Sequence, residues 1–162
     1  MNRSIVLGLG NCVNRDSGLG IHAVRAMAAH LGPAAGVELV DGSLIGLDIP
    51  HLVEQCEHLL LIDAIDDEQV PGMLIERRGA EIVPYAGGMC APYQMIVQDV
   101  LARATLHGRL PAYLHMIGVQ PADMTRGWEL SPRVAASLPA VLFRARILLT
   151  GWGMLTPCDW NA

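Results

Sequence analysis

The chain has 162 residues, 52% of them hydrophobic, which is enough for one well-buried core and too few for two, so residues 1–162 are expected to fold as a single domain. Its formal net charge of -5, with no basic cluster beyond Arg77 and Arg78, argues against nucleic acid and against an anionic membrane surface as partners. No run approaches the roughly 18 apolar residues of a membrane span, the opening stretch carries no secretion signal, and Cys12, Cys56, Cys90 and Cys158 form no CxxC pair, so a cytoplasmic monomer with reduced thiols is expected.

Ile5, Val6, Leu7 and Leu9 run together without alternation, the pattern of a strand buried on both faces. Gly8 and Gly10 end it, and Gly18 and Gly20 precede a helix with apolar positions Ile21, Val24, Met27 and Ala28. The spacing departs from a dinucleotide fingerprint: GxGxxG needs glycine where Val13 stands, and Asp16 in the loop would repel phosphate. The helix, Ile21 to Leu31, stops at Gly32 and Pro33. Val37 to Val40 is the second strand, ending in Asp41 and Gly42, and Leu47 to Cys56 is a weaker helix with Pro50 in its first turn. His58 to Ile65 is the most apolar strand, yet Asp63 stands at its carboxyl end, where a buried acid needs partners to offset desolvation. Gly72 to Arg78 alternates as an edge strand does. A glycine-bearing loop, Pro84 to Ala91, leads into a helix from Pro92 to Leu106 with proline in its first position. Tyr113 to Val119 is the next strand, Ser131 caps a final helix reaching about Leu149 and bent at Pro139, and Trp152 to Ala162 is expected to be a loosely held tail.

Strands alternating with helices imply an α/β fold, a three-layer sandwich with a mostly parallel central sheet flanked by helices. Ligands of such sheets sit beyond the carboxyl ends of the strands, where the strand order reverses. Asp16 and Asp63 follow the first and third strands, so topology alone is expected to bring them to one solvent-reachable cleft. Two carboxylates there could share a proton, as in an aspartyl-protease dyad, or clamp a divalent cation, and the residues by themselves leave both open. No Ser-His-Asp set and no G-x-S-x-G stands out, and the six histidines lack HExxH spacing, so any hydrolysis points to metal- or carboxylate-assisted attack of water. Asp66, Asp67 and Glu68 read as a solvated acidic turn.

The string GLGNCVNRDSGLG, Gly8 to Gly20, resembles the opening of the hydrogenase maturation endopeptidases, whose motif is GxGN, four residues, Asp or Glu, x, Gly, x, Gly. It is matched at Gly8, Gly10, Asn11, Asp16, Gly18 and Gly20, and the resemblance continues at VDGS (40–43), LLLIDAI (59–65), APYQ (91–94), IGVQP (117–121) and LSP (130–132). It implies an endopeptidase that removes the C-terminal extension of a nickel-loaded precursor of the nickel-iron hydrogenase large subunit. No intrinsic cofactor is implied, because the metal recognised is the substrate's nickel. By the same resemblance Asp16 and Asp63 are the catalytic and metal-engaging acids, and the third metal position falls to Tyr93, where the family has histidine. A phenol must lose a proton with a reference pKa of about 10 before it ligates, so the isolated protein is expected to bind nickel feebly. Cys90 lies three residues earlier and reads as an ordinary small apolar cysteine. The alternative is a non-catalytic accessory or chaperone protein of hydrogenase assembly on the same fold, its cleavage lost with Tyr93. A nucleotide-binding module fits the glycines but not the acidic loop.

Overall fold

The computed structural model describes residues 3–31, 36–45, 49–82, 92–156 and 158–160. Five strands make one sheet in the order β2-β1-β3-β5-β4: β1 (Arg3–Gly8), β2 (Glu38–Asp41), β3 (Cys56–Ala64), β4 (Leu74–Arg78) and β5 (Tyr113–Val119). β1, β2, β3 and β5 run parallel, and β4 closes the edge antiparallel to β5. The helices are α1 (Leu19–His30), α2 (Gly42–Ile45), α3 (Ile49–Gln55), α4 (Pro92–Leu106) and α5 (Pro132–Gly151).

The strand side chains divide between two cores, which makes the three expected layers. Ile5, Leu7, Leu59 and Leu61 pack with Leu52 and Val53 of α3 and with Val97 and Leu101 of α4. Val6, Leu60, Ile62 and Ile117 pack with Leu19 and Met27 of α1 and with Val141, Ala145 and Leu149 of α5. β3 is apolar on both faces because it is central and covered on both, and each such leucine or isoleucine stabilises the fold by about 1.5–3 kcal/mol. The edge position of β4 explains its charges: Arg144 of α5 donates to Glu76 there. α5 is long and apolar enough by composition to cross a membrane, but Val134, Val141, Ala145 and Leu149 face the sheet core instead.

Ser131 caps α5 as expected, its hydroxyl accepting from the Val134 N–H, with Pro132 in the first turn and Pro139 inside the helix. The helix expected over 47–56 is α3, with Cys56 belonging to β3 instead, and the short α2 before it was not expected. One expectation is corrected. The tail is not loosely held: Leu155 is buried, Trp160 stacks on His30 at 5.5 Å, the Ser4 hydroxyl donates to Met154 Sδ, and the Met154 carbonyl accepts from Gly36. The physical reason is its load of large apolar side chains, which complete the α1–α5 core.

Candidate active site

From β1 the chain goes to β2 on one side and then to β3 on the other, so the strand order reverses between β1 and β3. Gly8 pairs with Ile62, and the Leu9 N–H donates to the Ile62 carbonyl at 2.8 Å, so Asp63 starts where β1 gives out. The loop after β1 folds back on itself through its glycines. Gly10 sits at φ 139°, and a Cβ on it would lie 2.0 Å from the Ser17 carbonyl oxygen. A Cβ on Gly20 would meet the Ile62 carbonyl at 2.1 Å, so glycine there lets α1 start directly against β3. This closeness delivers a short 3-10 turn, Arg15–Gly18, onto β3.

Asp16 lies in that turn and is fully buried. Its Oδ1 accepts from the Ser131 N–H at 2.7 Å, while Oδ2 accepts from the N–H groups of Ala122 (2.9 Å) and Asp123 (2.8 Å) and from the Ser131 hydroxyl (2.8 Å). Four oriented donors, two from the loop after β5 and two from the N-cap residue of α5, thus hold this carboxylate, three on Oδ2 and one on Oδ1. Backbone pairs reinforce the same joint: Arg15 N–H to Gly127 O at 2.8 Å, Asp16 N–H to Asp123 O at 3.2 Å, and Gly127 N–H to Val13 O at 2.9 Å. Asp16 therefore stitches the loop after β1 to the loop after β5.

Asp63 is 1% exposed, pairs with Gly118 of β5, and accepts the Ala64 N–H on Oδ1 at 2.8 Å. Both acids reach the carboxyl edge beside the switch point, as expected. The expected solvent-reachable cleft between them is corrected, because the loop after β5 closes over Asp16 and Asp63 is set within the central strand. Tyr93 falls in the first turn of α4, but its side chain and the whole of Cys90 lie outside the described residues. Among the described residues no three His, Cys, Asp or Glu side chains are grouped to hold a metal ion.

Three further residues at this edge lie in the VDGS, IGVQP and LSP stretches, but the sequence did not show what they bond. Asp41, at the end of β2, accepts from Arg25 at 2.9 Å and from the Ser43 N–H at 3.0 Å; burial pushes its carboxyl up, but the Ser43 and Arg25 hydrogen bonds outweigh this and hold it below the usual range. Ser131 was read only as a cap, whereas its hydroxyl and N–H both serve Asp16. Gln120 is nearly buried and ties down the acidic turn: Asp66 accepts from its amide at 2.9 Å, and Asp67 accepts from Arg77 at 2.7 Å, so these two acids are partnered rather than simply solvated.

The fold is a three-layer α/β domain with an aspartate from each of two segments at the switch point of its sheet. The sequence pattern of the HycI hydrogenase maturation protease family matches residues 21–145, and the chain belongs to this family of peptidases. It is 34% identical over 154 residues to the hydrogenase expression/formation protein HupD of Rhodobacter capsulatus, covering 94% of this chain and 73% of that one. Among solved structures it is similar to the hydrogenase maturating endopeptidase HybD of Escherichia coli, with a TM-score of 0.86 at 28% identity over 93% of this chain and 94% of that chain. The hydrogenase maturation protease HybD of Thermococcus kodakarensis superposes with a TM-score of 0.70 at 29% identity, covering 90% of this chain and 98% of that one.

Proposed function

We propose that this protein is the endopeptidase that removes the C-terminal extension from a nickel-loaded hydrogenase large subunit, with Asp63 as the acid that engages the nickel-bearing substrate. The observation carrying the site assignment is an aspartate closing the most apolar strand at the switch point of a maturation-protease fold. Asp63 and Tyr93, at the start of α4, supply the protein's share of the contact with the substrate's nickel, the 1%-exposed Asp63 becoming reachable as the precursor docks. Asp16, buried and held by four hydrogen bonds, contributes by fixing the wall of the site. A divalent ion brought by the substrate would polarise the scissile carbonyl, and a carboxylate at the strand end would take the proton of the attacking water and pass it to the departing amine as the C–N bond breaks. The protein itself needs no cofactor. Its net charge of -5 and the free Cys12, Cys56 and Cys158 support action in the cytoplasm, away from nucleic acid and anionic membrane.

The family match over most of the chain favours cleavage over the accessory-protein reading. The test is incubation of the purified protein with its precursor large subunit, nickel-loaded and nickel-free, followed by mass measurement. Loss of the C-terminal extension from the loaded precursor alone is expected. Cleavage of the nickel-free precursor at the same rate removes nickel from the recognition step, and cleavage of neither overturns the endopeptidase assignment.

A further inference from the structure

The loop from Ile65 to Met73 leaves β3 two residues after Asp63, and Gln120, the first residue after β5, ties it down. The Gln120 Oε1 accepts from the N–H groups of Asp67 at 2.8 Å and Gln69 at 3.1 Å, and its Nε2 donates to Asp66 Oδ1 at 2.9 Å. Its backbone is used too: the Gln120 N–H donates to Met73 O at 2.9 Å and its carbonyl accepts from Gly72 at 2.8 Å. Gln120 is only 6% exposed, so the loop is closed around an amide that makes three hydrogen bonds. Glu68 is held at φ 54°, a conformation a non-glycine residue keeps only where its surroundings over-determine it. Arg77 of β4 clamps Asp67, and the Ser137 hydroxyl of α5 donates to the Gly72 carbonyl at 2.6 Å. On this fixed frame two large apolar side chains point outward, Val70 at 64% and Met73 at 51% exposure.

A loop this strongly tied that leaves the strand of Asp63 and spends its order on displaying apolar groups has a use in recognition. We propose that Gln120 is a positioning residue: it sets the loop 65–73, which follows Asp63 in the chain, as a rigid rim on which Val70 and Met73 meet the precursor large subunit. The proposal rests on the protease reading for its occupant. Freeing the loop lowers the fraction of molecules in the binding-competent shape, and apparent affinity falls by that fraction.

Two variants test this, Gln120→Met, which removes all three side-chain hydrogen bonds at similar volume, and Gln120→Glu, which keeps the acceptor but sets a carboxylate against Asp66. The charged groups around the position are Asp66 and Asp67 of the loop, Arg77 of β4, and Arg133 of α5, whose backbone lies against Gly72. Two carboxylates in contact take up a shared proton at a higher pH than either alone, and a protonated Glu side chain can again both donate and accept. Binding of the nickel-loaded precursor is measured by calorimetry at pH 8 and pH 6, and its cleavage is followed in parallel, each relative to wild type. Gln120→Met is expected to weaken binding and raise KM about tenfold at both pH values with kcat within about twofold. Gln120→Glu is expected to show the same defect at pH 8 and to recover most of it at pH 6. Wild-type affinity in both variants at pH 8, or a loss confined to kcat, overturns the proposal. Precursor that wild type binds but does not cut refutes the protease reading while the affinities still decide the role of Gln120; precursor that wild type does not bind refutes both.

Discussion

Replacing Asp16 by Asn separates a ligand from a clamp, because the change nearly preserves shape while altering one acceptor atom. The amide oxygen can take the Oδ2 place and keep Ala122, Asp123 and the Ser131 hydroxyl as donors. The amide NH2 must then face the Ser131 N–H, which stands 2.7 Å from the present Oδ1. Donor opposes donor. One charge-assisted hydrogen bond is lost, about 1.5–3 kcal/mol, and a buried N–H is left unpaired, about 1–3 kcal/mol. With the favourable interaction of the charge with the α5 N-terminus also gone, a total cost of about 3–5 kcal/mol follows. Against the roughly 5–15 kcal/mol that stabilises a domain, this is a large fraction, and for a chain of this length it lowers Tm by about 10 °C. Thermal unfolding by circular dichroism measures it, alongside a nickel titration of the same variant at a temperature where it is folded. An unchanged Tm accompanied by lost nickel binding would falsify the clamp and return Asp16 to the metal.

The Tyr93→His variant is expected to bind nickel about tenfold more tightly than the wild-type protein in a calorimetric titration, since imidazole suits nickel better than a phenol; equal affinities mean that another side chain, Cys90 first, completes the site. His115 supplies a pH effect. Burial pushes its imidazole pKa below the ordinary 6.5, the Arg78 charge adds to this and Glu76 opposes it, and its Nδ1 has no hydrogen-bond partner among the described residues. The unfolded chain then binds more protons than the folded one as pH falls below about 6.5, so this group's contribution leaves stability flat above that value and lowers it beneath. Urea unfolding of wild type and His115→Gln between pH 5 and pH 8 checks the sign: the difference between them should shrink or reverse at the acid end, and a His115-dependent gain in stability on acidification contradicts it.

The elements whose signal is local were legible. β3 announced itself by an uninterrupted apolar run because both its faces are covered, and β4 by the charges an edge strand tolerates. The glycines of the first loop were legible as close-packing positions because only glycine admits the approach of α1 to β3. What the sequence concealed was long-range. The partners of Asp16 lie 106, 107 and 115 residues downstream, and three of its four hydrogen bonds come from backbone N–H groups, which leave no mark on side-chain identity. Gln120 was hidden for the same reason, since its Oε1 accepts from main-chain N–H groups of another loop. The tail misled because glycine, proline and polar residues are interspersed with Trp152, Leu155 and Trp160, and burial of those three outweighs the local preference for irregular chain.

The assignment of Asp63 is tested most directly by the mass of the nickel-loaded precursor large subunit after incubation with wild type and with Asp63→Asn, the variant first shown to unfold at a similar temperature. The account predicts that wild type shortens the subunit by its C-terminal extension while Asp63→Asn leaves it at full length. Shortening at the wild-type rate by a folded Asp63→Asn protein contradicts it.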